Sequence, residues 1–238
     1  MTAAQHVIAG TVVTMPVRIR KAAQHMAMFS VDADAGQRLI DYSGLQVCRY
    51  LPGRTVVVLM LMHYIDGDLG QYYEFGTSVI VNAPGSTASG PRALRSAGAF
   101  IHHLPVDQPF TLEAGTKIWG YPKVMADFTI REGRQFGFEC TIDGQLVIEM
   151  HFRPGLPIRL MPRQQAQRSY SHRDGITRET AFEHTLDGVR TRLGGARVRL
   201  GDHPYAKELA SLGLPKRALL SSSADQVQMT FGDAQEIS

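Results

Sequence analysis

The feature that most narrows what this chain can fold into is its hydrophobic period: through most of the 238 residues, apolar side chains recur at every second position. Helices repeat every 3.6 residues, so alternation of this kind specifies strands with one face buried. Residues 10–20 and 22–31 read as two strands, after which Asp32 and Asp34 are placed to cap a short helix. Residues 45–50 read as another strand. Residues 55–65 and 71–82 are long, β-branched, Met-rich and aromatic runs joined through Asp66-Gly67-Asp68, the pattern of a buried hairpin. A stretch rich in Pro, Gly, Ser and Thr then gives way to a strand at 99–106. Residues 126–132, 135–142 and 145–153 form an antiparallel series whose last turn, Asp143-Gly144, suits the positive φ angles of a tight hairpin. Near the end, Asp202 caps a helix that starts at Pro204 and stops at Gly213, before strands at 217–221 and 226–231.

So many strands of even length with so few helices predict a mainly β (α+β) fold, an antiparallel β-barrel with a few peripheral helices, because closure removes unpaired strand edges. The centre of such a barrel offers a pocket. No linker, repeat or low-complexity tract divides the chain, so residues 1–238 are expected to form a single domain.

Composition excludes several function classes. The 25 basic and 22 acidic residues leave a charge of +3, spread over both halves of the chain, which argues against nucleic acid as a partner. Two cysteines, Cys48 and Cys140, make neither a disulfide framework nor a multi-cysteine zinc site, and point to a reducing, cytoplasmic compartment. The opening residues lack a signal-peptide pattern and no run of about 18 apolar residues occurs, so neither secretion nor a membrane is expected. Gly-rich phosphate loops, GxGxxG, GxSxG and HExxH are all missing, which sets aside nucleotide, hydride and zinc-protease chemistry. His102 and His103 are adjacent, and on a regular strand they face opposite ways, so no metal site is expected. Ten arginines and no lysine lie between positions 153 and 199, a pattern read as solvated faces or subunit contacts.

Three segments carry more information: Tyr73-Glu74-Phe75-Gly76, Trp119-Gly120-Tyr121-Pro122-Lys123, and Asp202-His203 through Leu214-Pro215-Lys216 to Ser221-Ser222-Ser223. In this order and spacing they give the chain a resemblance to the acetoacetate decarboxylase family. The resemblance implies a β-barrel with flanking helices, a homo-oligomer, and cofactor-independent lyase chemistry on a small or medium keto acid, with no metal. It assigns Lys123 as the imine-forming nucleophile and Glu74 as a pocket acid. An amine must be neutral to attack a carbonyl, so such a lysine needs its ammonium disfavoured, by an apolar cavity or by a neighbouring cation, the latter a device known from acetoacetate decarboxylase itself. The iminium that results is an electron sink that serves decarboxylation, aldol cleavage and dehydration alike.

Departures from the family pattern qualify these expectations. The position after the nucleophile, commonly a second lysine, is Val124; a second pocket glutamate falls on Val58; and an arginine of the first strand falls near Ala22, with Arg20 or Lys21 as substitutes. Val58 and Val124 then imply a substrate larger and more apolar than acetoacetate. Met60, with Met62, supplies apolar wall; Tyr72 and Tyr121 supply hydroxyls; His102, on the preceding strand, is a candidate acid or base. Two further readings stay open: a Schiff-base aldolase or dehydratase acting on a 2-oxo acid, and a non-catalytic family member that binds a small molecule.

Overall fold

Alternating side chains bring seven segments together edge to edge until the last meets the first. The computed structural model describes residues 4–158 and 163–237. Its barrel strands are β1 (Val17–Asp32), β2 (Arg54–Gly67), β3 (Tyr72–Val81), β4 (Gly98–Val106), β5 (Gln165–Arg173), β6 (Ile176–Asp187) and β7 (Leu220–Glu236), with helices α1 (Ala33–Ile40), α2 (Pro109–Trp119) and α3 (Pro204–Ser211) outside or across one end. Each strand pairs with its successor, and β7 returns to β1 in a register running from Leu220 opposite Met28 to Phe231 opposite Val17. Every join is antiparallel except that of β4 with β5, where Ser169 and Tyr170 run parallel to Ala99 and Phe100. A parallel join cannot be made by a hairpin. The crossover that makes this one carries α2, the short strand Lys123–Met125 and three strands of a second sheet.

The second sheet has the order Ala196–Leu200, Gln145–Phe152, Phe136–Ile142, Asp127–Arg131, and its apolar face covers the outside of β1–β3. Phe29, Leu59 and Phe75 meet Phe138, Ile148 and Met150 there, with the Phe75 and Phe138 ring centroids 5.4 Å apart. A separate buried cluster, including Val17, Met62, Tyr72, Trp119 and Val227, fills the lumen. Strands covered on both faces need apolar residues at consecutive positions, which accounts for the Val56–Met62 run in β2.

Several boundaries differ from expectation. β1 runs unbroken through Lys21, where register shifts on both sides absorb one extra residue on β1 and one on β2, while Thr11–Thr14 pairs separately with Gln5–Ile8. The two expected C-terminal strands are one, β7, irregular between Ala224 and Val227. Residues 45–50 contribute only a bridge from Val47 to Val81. Asp32 caps α1 as expected, accepting from the Ala35 N–H at 2.8 Å, but α3 is capped by His203, whose Nδ1 accepts from Tyr205 N–H at 3.2 Å, instead of by Asp202. The arginine-rich segment supplies β5 and β6; several of its arginines pair with acids, among them Arg168 with Glu179 and Arg178 with Glu236, and Arg159 lies outside the described residues. Among the described residues, no helix is long and apolar enough to cross a membrane.

Because Phe138 is fully buried where the second sheet meets the barrel, Phe138→Ala is expected to lower the unfolding free energy by about 3–5 kcal/mol. Urea denaturation checks this, and a loss below about 1 kcal/mol would show that the two sheets are not one packed core.

Candidate active site

The Trp-Gly-Tyr-Pro-Lys segment is a helix stop followed by a strand start. Helix α2 ends where Gly120 takes a left-handed φ of 63°, and the N–H groups of Gly120 and Tyr121 close on Thr116 and Gly115 carbonyls at 3.2 and 3.1 Å. Trp119 pins the stop to the barrel wall by donating its Nε1–H to Gly232 O at 2.8 Å, and Ser171 donates to Trp119 O at 2.6 Å. Tyr121 reaches Ser169 Oγ at 2.8 Å. The chain then enters the strand Lys123–Met125, which pairs parallel with the C-terminal half of β4, Leu104 opposite Lys123. β5 holds only the other half of β4, so the short strand fills the gap between the two and aims Lys123 inward.

Inside, Lys123 Nζ lies 2.6 Å from Glu74 Oε2, with the two side chains only 3% and 9% exposed. Nζ also donates to Thr111 Oγ1 at 3.0 Å and sits 5.3 Å from the centroid of the Tyr72 ring. Tyr64 donates to the other carboxylate oxygen, Glu74 Oε1, at 3.0 Å, and its ring stacks on Tyr72 at 4.2 Å. Burial, with the adjacent Glu74 charge adding to it, holds the Tyr64 and Tyr72 hydroxyls well above the ordinary phenol range, and burial pushes Tyr121 up to about 12. All three therefore remain neutral at physiological pH. Gly115 makes room for the lysine: a Cβ at that position would lie 2.4 Å from Lys123 Cε.

The amine and the carboxylate share a wall of a cavity of about 100 Å³. Met60, Tyr72, Tyr121, Ile101, Leu104 and Phe182 contribute to its mostly apolar lining, and no arginine lines it among the described residues. A broader surface depression of about 290 Å³, flanked by Arg18, Arg20 and Glu183, shares Ile19 and Met229 with it. Arg20 is held on the surface by Asp66 and Asp68, and Ala22 is buried, so neither places a cation beside the amine. An amine and a carboxylate in contact against an apolar wall can pass a proton between them as the charge on a bound ligand changes.

The structure thus brings together Lys123, Glu74, Tyr72, Tyr121 and Met60, and it leaves three expected residues outside. Val124 follows Lys123 on a strand and so points the opposite way, 42% exposed. Val58 lies two residues beyond Met60, flanked by Met28 and Ser78 on the neighbouring strands, and does not line the cavity. His102 is on the outer barrel face, bonded to Tyr42 OH at 2.9 Å and Glu208 at 2.8 Å. The expectation that strand alternation separates His102 from His103 also fails. Thr77 pairs with His103 but Ser78 pairs with Ile101, so His102 is the extra residue of a β-bulge, and both imidazoles reach Glu208. Tyr64 and Thr111, which hold the two charged groups, were not singled out in sequence; Tyr64 shares the inward parity of Met60 and Met62, the one signal available for it.

Residues 8–234 match the model of the family described as acetoacetate decarboxylase (ADC), and the chain belongs to that family. No curated protein matches it. Among solved structures, it is similar to acetoacetate decarboxylase from Legionella pneumophila, with a TM-score of 0.66 and 15% identity over 94% of this chain and 87% of that one. It is also similar to the enduracididine biosynthesis enzyme MppR complexed with pyruvate (TM-score 0.64, 16% identity, 95% and 92% coverage). An acetoacetate decarboxylase-like enzyme from Sphingomonas wittichii RW1 aligns over 100% of both chains at a TM-score of 0.59 and 17% identity. At these identities the likeness is one of fold.

A buried ion pair that loses one partner leaves the other charge uncompensated. Lys123→Met is therefore expected to cost about 3–5 kcal/mol at pH 8, and adding Glu74→Gln should restore most of it. Urea unfolding of both variants checks this; an equal loss in the single and double variants would show that the two side chains are not energetically paired.

Proposed function

We propose that the chain is a cofactor-independent, Schiff-base-forming lyase acting on a small keto acid, with Lys123 as the nucleophile and Glu74 as its proton partner. The observation that carries this reading is the position of Nζ: buried at the wall of an apolar cavity, 2.6 Å from a carboxylate, in a member of the acetoacetate decarboxylase family. The same reading carries a homo-oligomeric assembly and a cytoplasmic location.

The reaction begins with transfer of the ammonium proton to Glu74. The freed lone pair attacks the substrate carbonyl carbon, forming a C–N bond while the carbonyl π pair moves to oxygen. That oxygen takes up two protons, one shed by the attacking nitrogen and one from Glu74, the acid 2.6 Å from the nitrogen; it departs as water while the nitrogen lone pair closes the C=N bond of an iminium. When the bond to a β-carboxylate breaks, its electron pair flows to the iminium nitrogen, carbon dioxide leaves and an enamine remains. A proton returned to the enamine carbon and addition of water release the product and restore the amine. Tyr64, a neutral donor to Glu74 Oε1, fixes the carboxylate without competing for the proton.

The lining favours loss of the carboxylate. With no arginine along the described cavity wall, a substrate carboxylate would meet the iminium on one side and apolar surface elsewhere, and its departure as neutral carbon dioxide removes a poorly solvated charge. A cavity of about 100 Å³ suits a short-chain compound. Since Val58 and Val124 do not line it, the argument for a larger and more apolar substrate loses its basis. Aldol or dehydratase chemistry on a 2-oxo acid is the second reading, supported by a base within proton-transfer reach of the imine nitrogen and by the similarity to MppR, a protein complexed with pyruvate in its structure.

Borohydride reduction in the presence of a keto-acid panel should leave a substrate-sized adduct on Lys123, mapped by mass spectrometry. Lys123→Arg should abolish it, and an adduct elsewhere would identify a different nucleophile. Glu74→Gln should lower turnover by about 10²–10⁴-fold. Carbon dioxide release, as against carbon–carbon bond formation or water loss, separates the two readings.

Gly115→Ala provides a test of position rather than chemistry. The added methyl forces Lys123 aside, while helix propensity favours alanine by up to about 1 kcal/mol. Adduct formation should fall at least about tenfold while the fold, read by circular dichroism, is retained; an unchanged trapping rate would show that the amine does not react from the observed position.

A further inference from the structure

Outside the cavity, the bulge in β4 makes a second constellation. Because His102 is the inserted residue, His102 and His103 leave the same outer face of the barrel, toward α3. There Glu208 Oε2 lies 2.8 Å from His102 Nε2 and 2.7 Å from His103 Nε2, and the three potential ligand atoms lie within 4.8 Å of one another. The remaining ring nitrogen of His102, Nδ1, is 2.9 Å from Tyr42 OH, and the His103 ring packs on Tyr205 at 3.9 Å. His102 is buried, whereas His103 and Glu208 are partly open to solvent.

We propose that His102, His103 and Glu208 form a binding site for a divalent transition cation of the Zn²⁺ type, joining α3 to barrel strand β4. Two imidazole nitrogens and one carboxylate oxygen are a donor set that Zn²⁺ takes with a fourth position left to water. Hard cations such as Mg²⁺ prefer all-oxygen surroundings and do not suit it. With metal–ligand bonds of about 2.0–2.2 Å, tetrahedral donors stand about 3.3 Å apart, so the carboxylate oxygen needs to move from each imidazole nitrogen by only roughly half an ångström. Glu208, on a helix surface and partly solvated, is free to make that adjustment. Tyr42 supplies the outer support: with Nε2 on the metal, Nδ1–H donates to the Tyr42 oxygen and fixes the ring. The site lies across β4 from Lys123, since Ile101 faces the cavity and the two histidines face away, so it is independent of the reaction proposed above.

The test uses full-length, tag-free protein stripped with chelator. Titration calorimetry with ZnCl₂ should give one equivalent of binding, and Co²⁺ should give the visible absorption of a four-coordinate nitrogen and oxygen site. Thermal unfolding should shift upward with added Zn²⁺. His103→Ala and Glu208→Gln should each weaken binding at least about tenfold, while His63→Ala, outside the cluster, should not. Glu208→Gln alters a partly exposed side chain and keeps the test informative if the histidine variant does not fold. Absence of Zn²⁺ and Co²⁺ binding to the wild-type protein, or equal affinity in the Glu208→Gln variant, would overturn the proposal.

Discussion

Everything distinctive about this molecule depends on the antiparallel ladder between β7 and β1. That ladder turns an open sheet into a cylinder and separates an inside from an outside. An ammonium and a carboxylate on an open sheet are hydrated, screened and worth little to each other. Enclosed by the wall, Lys123 and Glu74 lose nearly all contact with water and face each other at contact distance without screening. The chemistry proposed for the site is in this sense a property of the closed wall as much as of the two side chains.

Burying such a pair is not an efficient way to stabilise a fold, because desolvation consumes most of the Coulomb gain. Its neighbours make it tolerable. Thr111 accepts from the ammonium, Tyr64 donates to the carboxylate, and the stacked Tyr64 and Tyr72 rings shield one side. Polar satisfaction is thus concentrated at one point of a lumen that is otherwise packed with apolar groups.

A strong hydrophobic and β-branched signal made the central hairpin readable to within a few residues, because β2 and β3 are buried on both faces and carry long apolar runs. It did not reveal β5 and β6. Their inward positions include Ser169, Ser171 and Thr180, which are buried but small and polar, so the alternation is present without the hydrophobic signal that announces it. α2 escaped for a different reason: it starts directly after a strand, is capped by Gln108 and contains both Gly115 and two threonines, none of which advertises a helix. Within the site, motif resemblance located Lys123 and Glu74, but it could not say which way their neighbours point. Val124 was misplaced although strand parity alone turns it outward. The His102 and His103 pair illustrates the opposite limit, since a bulge is created by the register with the partner strand, here β3, and leaves no local trace.

Lys123 is carried by a three-residue segment lodged between β4 and β5, a guest of the barrel more than one of its staves. The ring of hydrogen bonds that keeps the cylinder shut passes through β4 and β5 further along and does not rely on this segment. Descendants of such a scaffold can therefore exchange, retune or discard this lysine while the container survives intact, and one architecture can outlive many of its chemistries.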